Sequence, residues 1–222
     1  MTARTDQRLE RGQRTRERLI QEGVRLFAQK GFEGVSVREL AAASDANPAA
    51  VSFHFGGKSG LYAAVTQHVA DTLAAIYADT IGPGAALPDG ASPEQAAQAL
   101  REMVSLLAAR ILTVNRSLWM SLLIQREIIA PGEAFERIFG QAILPVAEVY
   151  ARAIAAARGV PPDALEARTL AYGLFAMVSA LSRGRAAFLR WTGLGSYTPE
   201  SAAEIARIVS DFALSGVTPR KD

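Results

Sequence analysis

The side chains best placed to do chemistry in this 222-residue chain lie close together: Ser36, Arg38, Asn47, Ser52, His54 and Lys58. They are donors, acceptors and cations, which suits hydrogen bonding and charge neutralisation on a polyanion. Covalent or metal chemistry finds little support. The chain has two histidines, His54 and His68, and no cysteine. No His, Asp and Glu cluster has metal-ligand spacing, and no glycine-rich loop follows a strand. The one carboxylate beside a candidate cavity is Glu127, for which an ion pair with its neighbour Arg126 is the plainer explanation. Neither catalysis, a metal nor a cofactor is expected.

Two short helices must position these residues. Ser36-Val37-Arg38-Glu39 has the capping-box pattern, in which the Ser hydroxyl caps the third amide and the Glu reaches back. Val37, Leu40 and Ala41 follow as one apolar stripe. Ser44-Asp45-Ala46 breaks that helix. Asn47 then caps a second, with Pro48 at its first position. It runs through Val51 to about Phe55 and is stopped by Gly56-Gly57. Two short helices joined by a tight turn form a helix-turn-helix, whose second helix enters the DNA major groove. A longer helix from about Gln13 to Lys30 precedes them, with Ile20, Val24 and Phe27 as its stripe and Gly31 as its cap. Val24, Phe27, Leu40, Val51 and Phe55 make the expected small core. The free amides at Val37 and Lys58 are natural phosphate anchors. Base reading falls to Asn47, Ala49 and Ser52, with Arg38 from the helix before. Asn pairs with adenine, while Ala and Ser pack on a thymine methyl. Phe53 is balanced between core and DNA contact.

Asn47 to Tyr62 resembles the signature of the TetR (tetracycline-repressor) family. The matching parts are Val51-Ser52-Phe53-His54-Phe55, then Gly56-Gly57-Lys58, then Leu61-Tyr62. The resemblance covers roughly the first third of the chain. It implies that Lys58 adds a point charge at the phosphate anchor and that His54 touches the DNA backbone. Three residues depart from the pattern. Asp45 stands where the family often has a turn Gly, and Asp tolerates the left-handed region. Phe53 lacks the hydroxyl of the usual Tyr. Gly57 replaces a common Ser cap. The Pro131–Pro145 segment, with Arg126-Glu127 upstream, further resembles the C-terminal domain of the CecR-like branch.

Composition agrees with a polyanion partner. The net charge of +2 is uneven: residues 1–62 hold ten Lys/Arg against seven Asp/Glu, and residues 63–222 hold fourteen against fifteen. The first eighteen residues carry six Arg (Arg4, Arg8, Arg11, Arg14, Arg16, Arg18) against three acids, a basic end on a near-neutral body. A tail that is merely solvated is the alternative. The longest uncharged run, Thr169 to Ser182, is 14 residues, short of the ~20 that a spanning helix needs. The N-terminus is polar and Arg-rich, without an apolar leader. A cytoplasmic protein with no membrane role is expected.

The rest of the chain reads as helices: Lys58 to about Ile81, Ser92 through Val114, Arg116 to Ile129, Glu133 to Arg158 with a kink at Pro145, Asp163 to about Arg183, and a last helix after Thr198-Pro199. Gly82 to Ala91 reads as a loop. The fold class is all-α, with a helix-turn-helix domain over residues 1–62 and a helical ligand and dimerisation domain over 63–222. The stretch TLAYGLFAMVSALS is apolar around its whole circumference and must be covered on all sides. Gly173, Ala176, Met177 and Ala180 are expected at a dimer seam. The resemblance adds the last helix, with Ile205, Val209 and Phe212, to make a four-helix interface. It also implies an effector pocket, for which His68, Met103, Trp119, Met120, Leu123, Arg126, Phe139, Tyr150 and Phe175 are candidates. The apolar and aromatic ones are equally well explained as core, His68 is more readily a packed or surface residue, and Arg126 a partner of Glu127. The function implied is a homodimeric transcriptional regulator that binds a near-palindromic duplex. It would be a repressor released by an apolar or aromatic small molecule. A helical carrier without a DNA role and an effector-free architectural DNA-binding protein are the rivals.

Overall fold

The computed structural model describes residues 2–113 and 118–217, and every regular element among them is helical. In order these are α1 (Thr2–Lys30), α2 (Val37–Ala43), α3 (Pro48–Phe55), α4 (Lys58–Ala78), α5 (Gly82–Ala85), α6 (Pro93–Thr113), α7 (Leu118–Ile129) and α8 (Phe135–Ile138). A π turn (Phe139–Ile143) leads into α9 (Leu144–Arg158), followed by α10 (Leu165–Arg183), α11 (Arg185–Thr192) and α12 (Pro199–Val217). Val114 and Arg116, expected at a helix end and a helix start, lie outside the described residues.

Most boundaries follow from their capping chemistry. Before α6, the Gln95 amide donates to Ser92 Oγ at 3.2 Å and the Ser92 amide donates to Gln95 Oε1 at 2.9 Å, a complete capping box. Thr198 and Ser201 make the equivalent reciprocal pair before α12. Gly31 ends α1 in the left-handed region, and Phe32 beyond it stacks on Phe27 at 6.2 Å. Two readings are corrected. First, α1 starts at Thr2 rather than near Gln13, because its Arg, Gln, Glu and Leu residues are good helix formers on both sides of Gly12 and carry the helix through it. Second, the expected loop at Gly82 begins with a single helical turn, α5. The kink at Pro145 takes the form of the π turn. Proline has no amide to give and its ring crowds the carbonyl four residues back, so the helix widens just ahead of it.

The chain forms two compact units. One comprises Met1–Thr72 with Arg116–Gln141, the other Leu73–Asn115 with Ala142–Asp222. The family signature ends at residue 62, but compact packing divides the chain elsewhere, because α7 packs on α1. In the first unit Leu19, Phe27, Leu40, Val51, Leu61, Val65 and Leu123 are fully buried. Burial of each is worth about 2 kcal/mol. In the second, α6 packs on α9 and α12 around Leu100, Met103, Leu107, Tyr150 and Ile154. The continuous helix Phe135–Arg158 is long and apolar enough to cross a membrane, but more than half of that stretch is buried inside the protein, as in a core helix.

Candidate nucleic-acid interface

The α2–turn–α3 unit is held by side-chain caps. Ser36 Oγ accepts from the Glu39 amide at 3.1 Å, which forms half of the expected capping box. The other half is replaced. The Glu39 carboxylate instead accepts from Lys30 Nζ at 2.5 Å, tying α2 to the end of α1. Lys30 holds that carboxyl below its ordinary pKa. The turn passes through Asp45 at φ +47, so Asp does adopt the left-handed conformation usually left to Gly. Ala46 N donates back to Ala41 O at 2.9 Å and closes it.

Asn47 Oδ1 caps α3 by accepting from the Ala49 amide at 2.9 Å. That bond limits its expected role. A bidentate pair with adenine needs Oδ1 as an acceptor as well as Nδ2 as a donor, and here the cap takes one of the oxygen's two lone pairs and fixes the direction of the side chain. Val51 is fully buried and anchors α3 against the core. The opposite side presents Asn47, Pro48, Ala49, Ser52 and Phe53, all exposed, and Phe53 is 83% exposed. An aromatic side chain this bare is the strongest sign of a contact surface in the unit. Phe55, expected in the core, is only half-buried and lies under the Arg16 guanidinium at 5.4 Å. His54 is half-buried beside Phe53, with ring centroids 4.9 Å apart. Arg38 on α2 is exposed.

The junction into α4 is built of backbone. Gly57 has φ +124, a conformation unsuited to Ser, so the Gly at this position is a structural requirement. Its carbonyl accepts from the Leu61 amide at 3.0 Å. A Cβ on Gly60 would lie 1.7 Å from the Phe55 carbonyl oxygen, so the first turn of α4 seats directly on the end of α3. Sequence reading passed over Gly60, because a single glycine inside a helix carries no mark of what it touches. Lys58 Nζ sits 4.3 Å from the centroid of the Phe32 ring. This cation–π contact is worth about 0.5–1 kcal/mol at an exposed site, little enough for a phosphate to displace.

Residues 19–65 match the model of the bacterial regulatory proteins of the tetR family, and residues 96–217 match that of the C-terminal domain of the HTH-type transcriptional dual regulator CecR. The chain belongs to the TetR family, in its CecR branch. It is therefore a DNA-binding transcriptional regulator. The HTH-type transcriptional dual regulator CecR of Shigella flexneri is 28% identical over 219 residues, covering 95% of this chain and 96% of that protein. Solved structures share the fold. The ketosteroid transcriptional regulator KstR2 of Mycobacterium tuberculosis aligns with a TM-score of 0.58 at 17% identity, covering 92% of this chain and 95% of that one. AibR, solved in complex with isovaleryl coenzyme A and operator DNA, gives 0.56 at 17% identity, covering 93% and 98%.

The candidate effector residues of this TetR-family chain fall in both units. In the first, His68 lies on α4 with Nε2 3.4 Å from Gln21 Nε2. On α7, Trp119 is half-buried while Met120 and Leu123 are buried. Phe139 stacks on Phe135 at 5.1 Å. The expected Arg126–Glu127 pair is absent. Adjacent residues on a helix point about 100° apart and do not face each other. Glu127, 5% exposed, instead accepts from the Tyr62 hydroxyl at 2.6 Å and from the Gly132 amide at 3.1 Å. Arg126 donates to the Ala28 carbonyl at 3.3 Å, capping the end of α1. In the second unit, Met103 and Tyr150 are fully buried and Phe175 packs edge-on against Tyr77 at 5.3 Å. Tyr150 is distinctive. Its hydroxyl is buried without a hydrogen-bond partner, and burial raises its pKa.

Of the expected seam residues, Gly173, Ala180 and Phe212 are exposed, and Ala176, Met177 and Val209 are half-buried. Ile205 is corrected. It is buried with Leu112, Leu181 and Ala202 in the chain's own core, because that side of α12 faces α6. Leu165 and Tyr172 on α10 and Ile208 on α12 are exposed apolar residues that periodicity did not single out. Among the described residues, no group of three or more His, Asp or Glu could hold a metal ion.

Proposed function

We propose that this chain is a homodimeric, cytoplasmic regulator that places α3 in the major groove of a near-palindromic operator and represses until a small molecule releases it. The observation that carries the DNA role is the exposed front of α3, with Val51 fully buried behind it. In this reading the residues 1–62 act as the DNA-binding domain. Ala49, Ser52 and Phe53 meet base edges and sugars, with Arg38 reaching from α2 and Pro48 setting the first turn. The amides of Val37 and Lys58 meet phosphates, together with His54 and the Lys58 ammonium once it leaves Phe32. Ser36 and Asn47 hold the two helix starts in place. The test is selection of duplexes by the purified protein from a random pool, followed by binding of Ser52→Ala and Phe53→Ala. Each should weaken the selected site about tenfold, ~1.4 kcal/mol, with an unchanged melting temperature. Equal affinity of both variants for the selected site would remove α3 from the interface.

Release by an effector rests on Tyr150. A buried hydroxyl without a partner costs about 1–3 kcal/mol, and a mainly apolar ligand bearing one acceptor would repay it. Met103 and Phe175 belong to the same unit and supply apolar and aromatic surface. Tyr150→Phe should leave the melting temperature unchanged or raise it, and should weaken the response of the selected DNA complex to releasing compounds. A variant that unfolds earlier than the wild type would show that the hydroxyl has a structural partner instead.

A further inference from the structure

The interior of the second unit is polar in places but carries no charge. Glu127 is the single buried charged side chain among the described residues, and it lies in the first unit with Tyr62 and Gly132. Of the buried hydroxyls in the second unit, Thr80 donates to the Tyr77 carbonyl at 2.8 Å and Ser210 to the Arg207 carbonyl at 2.9 Å. The half-buried arginines described there, Arg101 and Arg158, are held by Asp211 and Glu166. Tyr150 differs from all of these. Its hydroxyl is fully buried and has no partner. Burial, then Tyr77, raises its pKa, so it stays a neutral O–H donor.

The elements packed around α9 add apolar, partly yielding surface. α5, α6 and α10 all pack on it. A Cβ on Gly84 would lie 2.3 Å from Met103 Sδ and 2.9 Å from Cγ1 of Val149, the residue before Tyr150. α5 therefore rests directly on α6 and α9 at this point. It is a single turn with no side-chain cap. The Met103 side chain beneath it is unbranched and re-packs into irregular gaps at small cost.

We infer that the small molecule taken up at Tyr150 is uncharged, a ketone, ester or lactone on an apolar frame, and not an acid or a phosphate ester. This rests on the effector reading of Tyr150 above and names the class of its ligand. The Tyr150 hydroxyl donates to the carbonyl oxygen, which accepts without bringing a donor of its own. A carboxylate or phosphate could accept the same bond. It would enter with a charge, however, and a buried charge is costly unless an opposite charge meets it. Among the described residues of this unit no cation is buried, and the half-buried ones are already paired. Movement of Met103 beneath α5 makes the room.

The experiment uses the full-length chain at neutral pH with two matched series of probes, medium-chain methyl ketones and the carboxylates of the same chain length. Binding is read from the rise in melting temperature with probe concentration. At least one ketone should bind, and its matched carboxylate should bind at least about tenfold more weakly. Tyr150→Phe should weaken that ketone about tenfold, ~1.4 kcal/mol, without lowering the melting temperature of the free protein. Ketone binding that depends on Tyr150 but does not release the selected duplex would overturn the effector reading and keep the ligand class. Carboxylates that bind as tightly as ketones, and weaken in Tyr150→Phe, would overturn the class and keep the site. Ketones that bind Tyr150→Phe and wild type equally, or no binding of either series up to millimolar concentration, would overturn both.

Discussion

Asn47 and Phe53 share the exposed front of α3 and answer to different demands. Asn47 spends its side-chain oxygen on the Ala49 amide, so its first contribution is to the start of the helix. Asn47→Ala should cost about 1 kcal/mol of unfolding free energy, the usual worth of an N-cap, and Asn47→Asp should keep nearly all of it. Chemical denaturation checks this. Equal stability of all three proteins would mean that the cap is not held in solution and that the whole side chain is free to meet a base. Phe53 makes no comparable claim on the fold. It is bare because α3 buries Val51 on the other side. The hydrophobic pattern of the sequence expects Phe55 in the core and leaves Phe53 balanced between core and DNA contact. The structure leaves Phe53 outward and Phe55 partly covered beneath Arg16.

At the scale of elements, start and stop signals were legible wherever they were local. Ser92-Pro93, Thr198-Pro199, Asn47-Pro48 and Gly31 each mark a boundary that the structure keeps. The pairings across elements were not legible. Glu39 turns to Lys30 and Glu127 to Tyr62 because partners distant in sequence arrive close in space, and adjacency in the chain pointed to neither. The Tyr62–Glu127 hydrogen bond joins α4 to α7 in a buried setting. Tyr62→Phe leaves the carboxylate with the Gly132 amide alone and should cost about 2 kcal/mol, the worth of a charge-assisted bond. Desolvation, then the bond to Glu127, raises the Tyr62 pKa above its ordinary value of 10.0. Its stabilising contribution is therefore complete below about pH 10 and is lost as the pH rises toward the folded-state value. The wild-type melting temperature should fall above pH 10, and Tyr62→Phe should fall less steeply over the same range. Parallel curves would show that Tyr62 is not a source of the alkaline sensitivity. Tyr150, also raised by burial, would then be the group to vary.

For the whole molecule, the apolar stretch Thr169–Ser182 of α10 called for a cover on every side, and one chain supplies only part of it. Leu174 and Val178 are buried within the chain, while Tyr172 on α10 remains 71% exposed and Phe212 on α12 69% exposed. Exposed aromatic and aliphatic side chains on both helices, with Gly173 and Ala180 as small neighbours, are what a self-complementary interface would cover. In the proposed reading the second copy matters for function as well, because one chain carries one α3 and the proposed near-palindromic operator would need two. Tyr172→Glu combined with Phe212→Glu places charges where the partner would sit and removes no buried contact. The double variant should sediment as a monomer at micromolar concentration, keep the wild-type melting profile of its isolated chain, and lose at least tenfold in affinity for a selected two-half-site duplex. Its binding to a single half-site should change little. Ile205→Glu serves as the contrast, since Ile205 belongs to the core with Leu112 and Leu181 and its substitution should unfold the chain. A double variant that still sediments as a dimer would move the interface away from α10 and α12.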